Sequence, residues 1–176
     1  YLDILKGLKL SKLNENGFDF VSFSNQSVNY PYAQGYDNFI DQLLKIFPNE
    51  EKALHIYVSK IQEICQAFPL YNLESGTKYS EELLSINIKT FLDELTTNEK
   101  LKAVLVGTNF LYAGNLQTTP LYVHALSLNS YINSSWRIVN GGSQLSKILI
   151  KQLRKYGAEL YKHQEVIGFE STNEKI

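Results

Sequence analysis

The sequence predicts an α+β protein, with helices packed on a small antiparallel sheet and a C-terminal helix–strand unit after them. Three observations carry that prediction. Two short runs rich in β-branched and aromatic residues, Phe18 to Phe23 and Val28 to Tyr32, flank a polar Ser-Asn-Gln-Ser stretch, as in a hairpin. From Asp37 to Ile132, apolar residues recur at i, i+3 and i+4 between capping residues, prolines and glycines, which is the signature of successive helices. Finally, the pair Gly141-Gly142 opens an amphipathic helix followed by two strand-like segments.

In chain order, Leu2, Leu5, Leu8 and Leu13 suit a short helix interrupted by Gly7, and Asn14 to Gly17 is a turn. The hairpin follows. Gly35 to Asp37 is a helix entry with Asp37 as N-cap; Phe39, Ile40, Leu43, Leu44 and Phe47 form the buried face, and Pro48 ends it. Asn49 caps a second helix, whose residues Leu54, Tyr57, Val58, Ile61, Ile64, Cys65 and Phe68 fall on one side. Pro69 to Lys78 is a loop. Ser80, with Glu81 and Glu82 favourably placed at the positive end of the helix dipole, opens a third helix with the stripe Leu84, Ile88, Phe91, Leu92 and Leu95. A short fourth helix spans Asn98 to Val106 and stops at Gly107. Thr119 as N-cap and Pro120 as first helical residue begin a fifth, through Leu121, His124, Ala125, Leu128 and Tyr131 or Ile132. In the last helix Leu145, Ile148, Leu149, Leu153 and Tyr156 make a stripe predicted to be buried; Gly157 is the left-handed cap, and Ala158 to Tyr161 and Glu165 to Phe169 read as strands. There is no internal repeat.

Composition narrows the function classes. With 176 residues the chain can bury one sizeable core, or one large and one small unit, and 44% hydrophobic with 20% charged residues is ordinary for a globular domain. A net charge of −1 without a basic stripe argues against a nucleic-acid partner. One cysteine, Cys65, rules out an internal disulfide framework and reads as a buried thiol. His55, His124 and His163 have no ligand spacing with a carboxylate, so no metal site is expected. No apolar run reaches transmembrane length, no Gly-x-Ser-x-Gly elbow supports a hydrolase, and none of the ten glycines forms G-x-G-x-x-G after a strand. The lack of methionine, the start at Tyr1 and the stop just after a strand suggest an excised segment. His124, on the apolar side of its helix, is either a hydrogen-bonded core histidine or a functional one. The 12 tyrosines and 9 phenylalanines serve ordinary packing or line a channel for an apolar ligand.

The run GGSQLSKILIKQLRKYGAELYKHQEVIGF, Gly141 to Phe169, resembles the segment of two-dinucleotide-binding-domain flavoproteins in which the chain returns from the substrate domain to the FAD domain. Tyr112-Ala113-Gly114, Thr118 to Pro120, His124 to Tyr131 and Gly141 to Ser143 resemble, in order and spacing, the branch containing phytoene desaturases, carotenoid isomerases and retinol saturase-like proteins. So do Gly17 to Phe23, Asn29 to Glu51 and Glu99 to Leu105, and the match is nearest to the retinol saturase-like group. The resemblance implies three parts: 1–16 as a connection from the FAD domain, 17–135 as the substrate domain and 136–176 as the return segment. It implies FAD as cofactor, approached by Gly141, Gly142 and the main chain of Val166, and an apolar polyene-like substrate beside His124, Tyr112 and Tyr131. The reaction implied is redox chemistry at a carbon–carbon bond, with hydride exchanged with the flavin. No catalytic residue is assigned. Lacking the glycine fingerprint, this chain alone is expected to hold FAD weakly or not at all, its partner being the remainder of the parent flavoprotein. A cytoplasmic location is expected, and apolar substrates would allow peripheral membrane contact. The competing reading is a non-enzymatic helical binding domain for a lipid or protein partner.

Overall fold

The structure, a computed structural model, describes residues 4–24, 26–76 and 78–169. It is an α+β fold with seven helices and two small two-stranded sheets among those residues. Two compact units separate: one runs from Lys12 to Trp136, and the other joins 4–11 to 137–169.

Within the first unit, β2 (Asp19–Ser22) pairs antiparallel with β3 (Asn29–Tyr32), Asp19 opposite Tyr32 and Val21 opposite Tyr30. Tyr30 and Tyr32 turn to the core, and Pro31 is tolerated because β3 has only one strand neighbour. The helices are α1 (Tyr36–Leu44), α2 (Glu51–Ala67), α3 (Glu81–Ser85), α4 (Ile88–Leu95), α5 (Glu99–Leu105) and α6 (Leu121–Asn133), with α2 and α6 the principal pair. Leu54, Tyr57, Ile61 and Ile64 of α2 meet Leu121, Ala125, Leu128 and Ile132 in one buried cluster. Cys65 is buried there, its Sγ 3.5 Å from the Ala125 carbonyl, and burial pushes the thiol up to about 12.

Several local expectations shift. The entry to α1 is Gly35 at φ 84°, with Asp37 inside the first turn rather than capping it, and the residue ahead of α2 is Glu50, not Asn49. The Glu50 carboxylate instead accepts from Thr96 Oγ1 (2.8 Å) and Asn98 Nδ2 (3.0 Å), which fixes the turn between α4 and α5. The single helix predicted from Ser80 to Leu95 is two. Ser80 does cap α3, but the chain straightens at Ile86 and Asn87, where Asn87 Oδ1 accepts from the amides of Lys89 (2.8 Å) and Thr90 (3.4 Å) and starts α4 anew. Pro120 is the N-cap of α6 rather than its first residue, and the Thr119 hydroxyl accepts from the Asn115 amide.

The N-terminal helix does not form among the described residues: a turn over 4–7 leads to β1 (Leu10–Lys12), which pairs with β4 (Trp136–Ile138). Leu2 lies outside the described residues. Leu13 donates to the Ser135 carbonyl (3.0 Å) and Val139 to that of Lys9 (2.9 Å), so the chain enters and leaves the first unit along this ribbon. In the second unit α7 (Ser143–Lys155) ends as predicted, with Gly157 at φ 79° and the amides of Gly157 and Ala158 closing on the Arg154 and Leu153 carbonyls. Its apolar stripe is not buried. The strands expected at 158–161 and 165–169 are coil, because no neighbouring strand offers them a ladder. No described helix is long and apolar enough to cross a membrane.

Candidate functional site

Helix α6 carries the residues of interest at two levels. His124 is fully buried, facing α2 on one side and the 3-10 turn Asn109–Tyr112 on the other. Tyr57 Oη lies 2.6 Å from Nε2, and Tyr112 Oη 2.7 Å from Nδ1. A neutral imidazole has one N–H and one lone pair, so one tyrosine accepts from the ring while the other donates to it. Each phenol also lies near an acceptor, Tyr57 near the Leu105 carbonyl at 3.3 Å and Tyr112 near Asn109 Oδ1, and the phenol that accepts from the ring is the one free to donate there. Burial drives the His124 pKa down to about 3 and both phenols up from their usual range. At neutral pH the ring is therefore an uncharged bridge, and Tyr112, half-buried, is the member of the trio that approaches the surface.

The Tyr-Ala-Gly sequence has a steric basis. After Tyr112 the backbone turns through Ala113 at φ 55°, and the tyrosine ring folds over Gly114, where a Cβ would stand 2.3 Å from Tyr112 Cε2. Glycine at 114 thus permits the ring position that reaches His124.

Two turns further along α6, Tyr131 lies apart from this trio. It borders a cavity of about 280 Å³ whose other walls include Phe18, Asp19, Ser134, Ser135 and Trp136. Phe18 meets Tyr131 edge-on, with ring centroids 5.4 Å apart. Sequence reasoning identified Tyr131 and missed the rest of this lining, since Asp19 and Trp136 gave no motif of their own. The signal available was Trp136 itself, a lone exposed indole next to a serine pair.

Gly141 and Gly142 share one turn between β4 and α7. Asn140 at φ 64° and Gly141 at φ 92° make the reversal, and a Cβ at either glycine would meet nothing within 4 Å. The first turn of α7 has no side-chain cap, and the amides of Gln144 and Leu145 donate instead to the Gly141 (3.3 Å) and Gly142 (3.0 Å) carbonyls. Val166 is placed in the coil after α7, mostly exposed. The turn leaves open space beside Gly141 and Gly142, and a glycine-rich cradle for a pyrophosphate does not occur in this chain. No cluster of His, Cys, Asp or Glu suited to a metal occurs among the described residues.

The chain is similar to a retinol reductase. All-trans-retinol 13,14-reductase of Danio rerio is 28% identical over 163 residues, covering 81% of this chain. That match takes in 27% of the reductase, so the chain spans about a quarter of the relative's length. No family model matches the chain, and no solved structure does.

Proposed function

We propose that the chain is the substrate-side portion, with an adjoining part of the cofactor-side portion, of a flavin-dependent oxidoreductase acting on carbon–carbon bonds of an apolar, polyene-like substrate. The observation that carries this reading is the similarity to the retinol reductase over 81% of the chain. The division into a unit of 12–136 and a second unit, joined by a ribbon the chain crosses twice, agrees with a substrate domain inserted into a cofactor domain. In this reading 17–135 is the substrate domain, and 1–16 with 136–176 belong to the cofactor side.

FAD, when bound, would supply hydride transfer, and Gly141, Gly142 and the main chain of Val166 would lie against it. The residues of this chain do the orienting. Tyr112 presents a phenol held in place by His124, and Tyr131 forms an aromatic wall with Phe18. His124 acts through Tyr112 as a positioning residue, because both its nitrogens are already bonded.

The test compares this chain with the natural reading frame extended upstream of Tyr1, each incubated with FAD and desalted. Visible flavin absorbance retained by the longer protein alone is the expected result. Absence of flavin from both, or an upstream frame without a strand–GxGxxG–helix, would overturn the proposal.

A further inference from the structure

Two Asn-Gly pairs occur in the chain, Asn16-Gly17 and Asn140-Gly141, and the fold treats them differently. A glycine after asparagine leaves its amide nitrogen unshielded by a Cβ, which is the arrangement that best lets the backbone attack the asparagine side chain. Around Asn16 that attack is hindered. Asn16 Oδ1 accepts from Asn38 Nδ2 (3.2 Å), the Asn16 amide donates to Asn14 Oδ1 (2.9 Å), and the Glu15 carbonyl accepts from the Gln34 amide (2.7 Å) and Asn38 Nδ2 (2.9 Å). Gly17 itself is buried: a Cβ there would stand 2.7 Å from Phe20 Cζ and 3.3 Å from Pro31 Cβ. Asn140 and Gly141, by contrast, are both exposed, at φ 64° and 92°, and a Cβ on Gly141 would meet nothing within 4 Å. The Gly141 amide is held by a single turn bond, to the Ile138 carbonyl at 3.0 Å, and the helix that follows buries no side chain, so this turn opens at little cost.

We propose that Asn140 is a site of spontaneous deamidation through a cyclic imide, and that the fold protects Asn16 from the same reaction. The Gly141 nitrogen gives up its proton to hydroxide or water and bonds to Asn140 Cγ. The Cγ–Nδ2 bond then breaks, and Nδ2 takes up a proton and leaves as ammonia. Water, the one co-reactant, opens the five-membered imide at either carbonyl. Opening at Cγ leaves aspartate with the original main chain; opening at the main-chain carbonyl leaves isoaspartate, whose backbone runs through Cβ and Cγ and is one methylene longer. Either product carries a carboxylate where a neutral amide stood. Asparagine is among the few residues that take up the left-handed conformation of this turn readily, so the residue the turn favours is also the one that reacts. The modification rests on the turn alone. Its bearing on catalysis rests on the oxidoreductase reading, which sets Gly141 and Gly142 beside the cofactor.

The 176-residue protein is held at 37 °C and pH 8.5, folded in one sample and in 8 M urea in another, and tryptic peptides from successive time points are followed by mass spectrometry against a zero-time digest. Asn140 falls in the peptide 138–147 and Asn16 in the peptide 13–45, and chromatography resolves aspartate from isoaspartate. In the folded protein the rate at Asn140 should exceed that at Asn16 by at least about 10-fold, since freeing the Asn16 turn breaks several more hydrogen bonds, each contributing on the order of 1 kcal/mol. In urea those bonds are gone, and the two rates should come within about 3-fold of each other. Asn140→Gly, which suits the left-handed turn, should remove most of the ammonia that the folded protein releases. Equal rates at the two positions in the folded protein, a faster rate at Asn16, a selectivity that persists in urea, or ammonia release unchanged in Asn140→Gly would overturn the proposal. Flavin retention by the longer protein has no influence on these rates, so the oxidoreductase reading and this one stand or fall separately.

Discussion

His124 links the chemistry of the core to its stability. In an unfolded chain its imidazole takes up a proton near 6.5, whereas in the folded protein it does so only at about 3. Between these values the unfolded state binds more protons, so stability is fully present above about pH 6.5 and falls as the pH drops towards 3. The decline approaches about 1.4 kcal/mol per pH unit once the unfolded histidine is fully protonated. Urea unfolding at pH 7.0, 6.0 and 5.0 should therefore show a falling midpoint. His124→Phe should cost about 2–4 kcal/mol at pH 7, by leaving the Tyr57 and Tyr112 hydroxyls without their central partner, and should also flatten the pH dependence. Identical pH slopes in the two proteins would exclude His124 as the titrating group. Helical spacing alone marked His124 as a residue on an apolar face. Its partners were not legible, because Tyr57 and Tyr112 stand 67 and 12 residues away on other elements, and only the packing of α2 and the 3-10 turn against α6 brings them to the ring. Tyr131 was legible in the same way, and its cavity was not, since Asp19 and Trp136 come from opposite ends of the unit.

At the scale of elements, the break between α3 and α4 depends on one side chain. Asn87 caps α4 through Oδ1 and, through Nδ2, donates to the Gln117 carbonyl at 3.0 Å, beside the bridge it makes with Pro120. Asn87→Ala should destabilise the protein by about 1–2 kcal/mol, and Asn87→Asp should recover the cap while losing the Gln117 link, a ranking read from thermal melts. Packing of α5 on the hairpin depends likewise on a missing side chain: a Cβ at Gly107 would stand 2.2 Å from Val21 Cγ2. Gly107→Ala should cost about 1–3 kcal/mol by overpacking, and adding Val21→Ala should return part of it, a coupling that a double-mutant cycle measures. Purely additive losses would mean that the clash is relieved elsewhere. Periodicity revealed α1, α2, α5, α6 and α7 because each carries its own apolar stripe. It joined α3 to α4 because Leu84, Ile88 and Leu92 keep the stripe in phase across the break. β1 and β4 escaped notice because three-residue strands have no period to read and their partners lie more than a hundred residues apart.

At the scale of the whole chain, burial is distributed unevenly. Among the described residues every fully enclosed side chain falls between 17 and 132, while α7 contributes none and leaves Leu149, Leu153 and Tyr156 exposed at 40%, 47% and 78%. Beyond α7, Tyr161, Val166, Ile167 and Phe169 are exposed as well. Cooperative stability should therefore reside in 12–136, whose core joins both strands of the hairpin to α1, α2, α4, α5 and α6. A fragment of 12–136 should keep a single cooperative urea transition, with a free energy within about 1 kcal/mol of the 176-residue protein, since the buried side chains of the described residues lie within it. Trypsin under native conditions should cut first among Lys147, Lys151, Arg154, Lys155 and Lys162, on or after the exposed helix, and leave a product ending between 147 and 162. Such cleavage with an unchanged urea midpoint would assign the stability to the first unit. A fragment of 12–136 that fails to unfold cooperatively would show instead that α7 and the β1–β4 ribbon are required for the core to form.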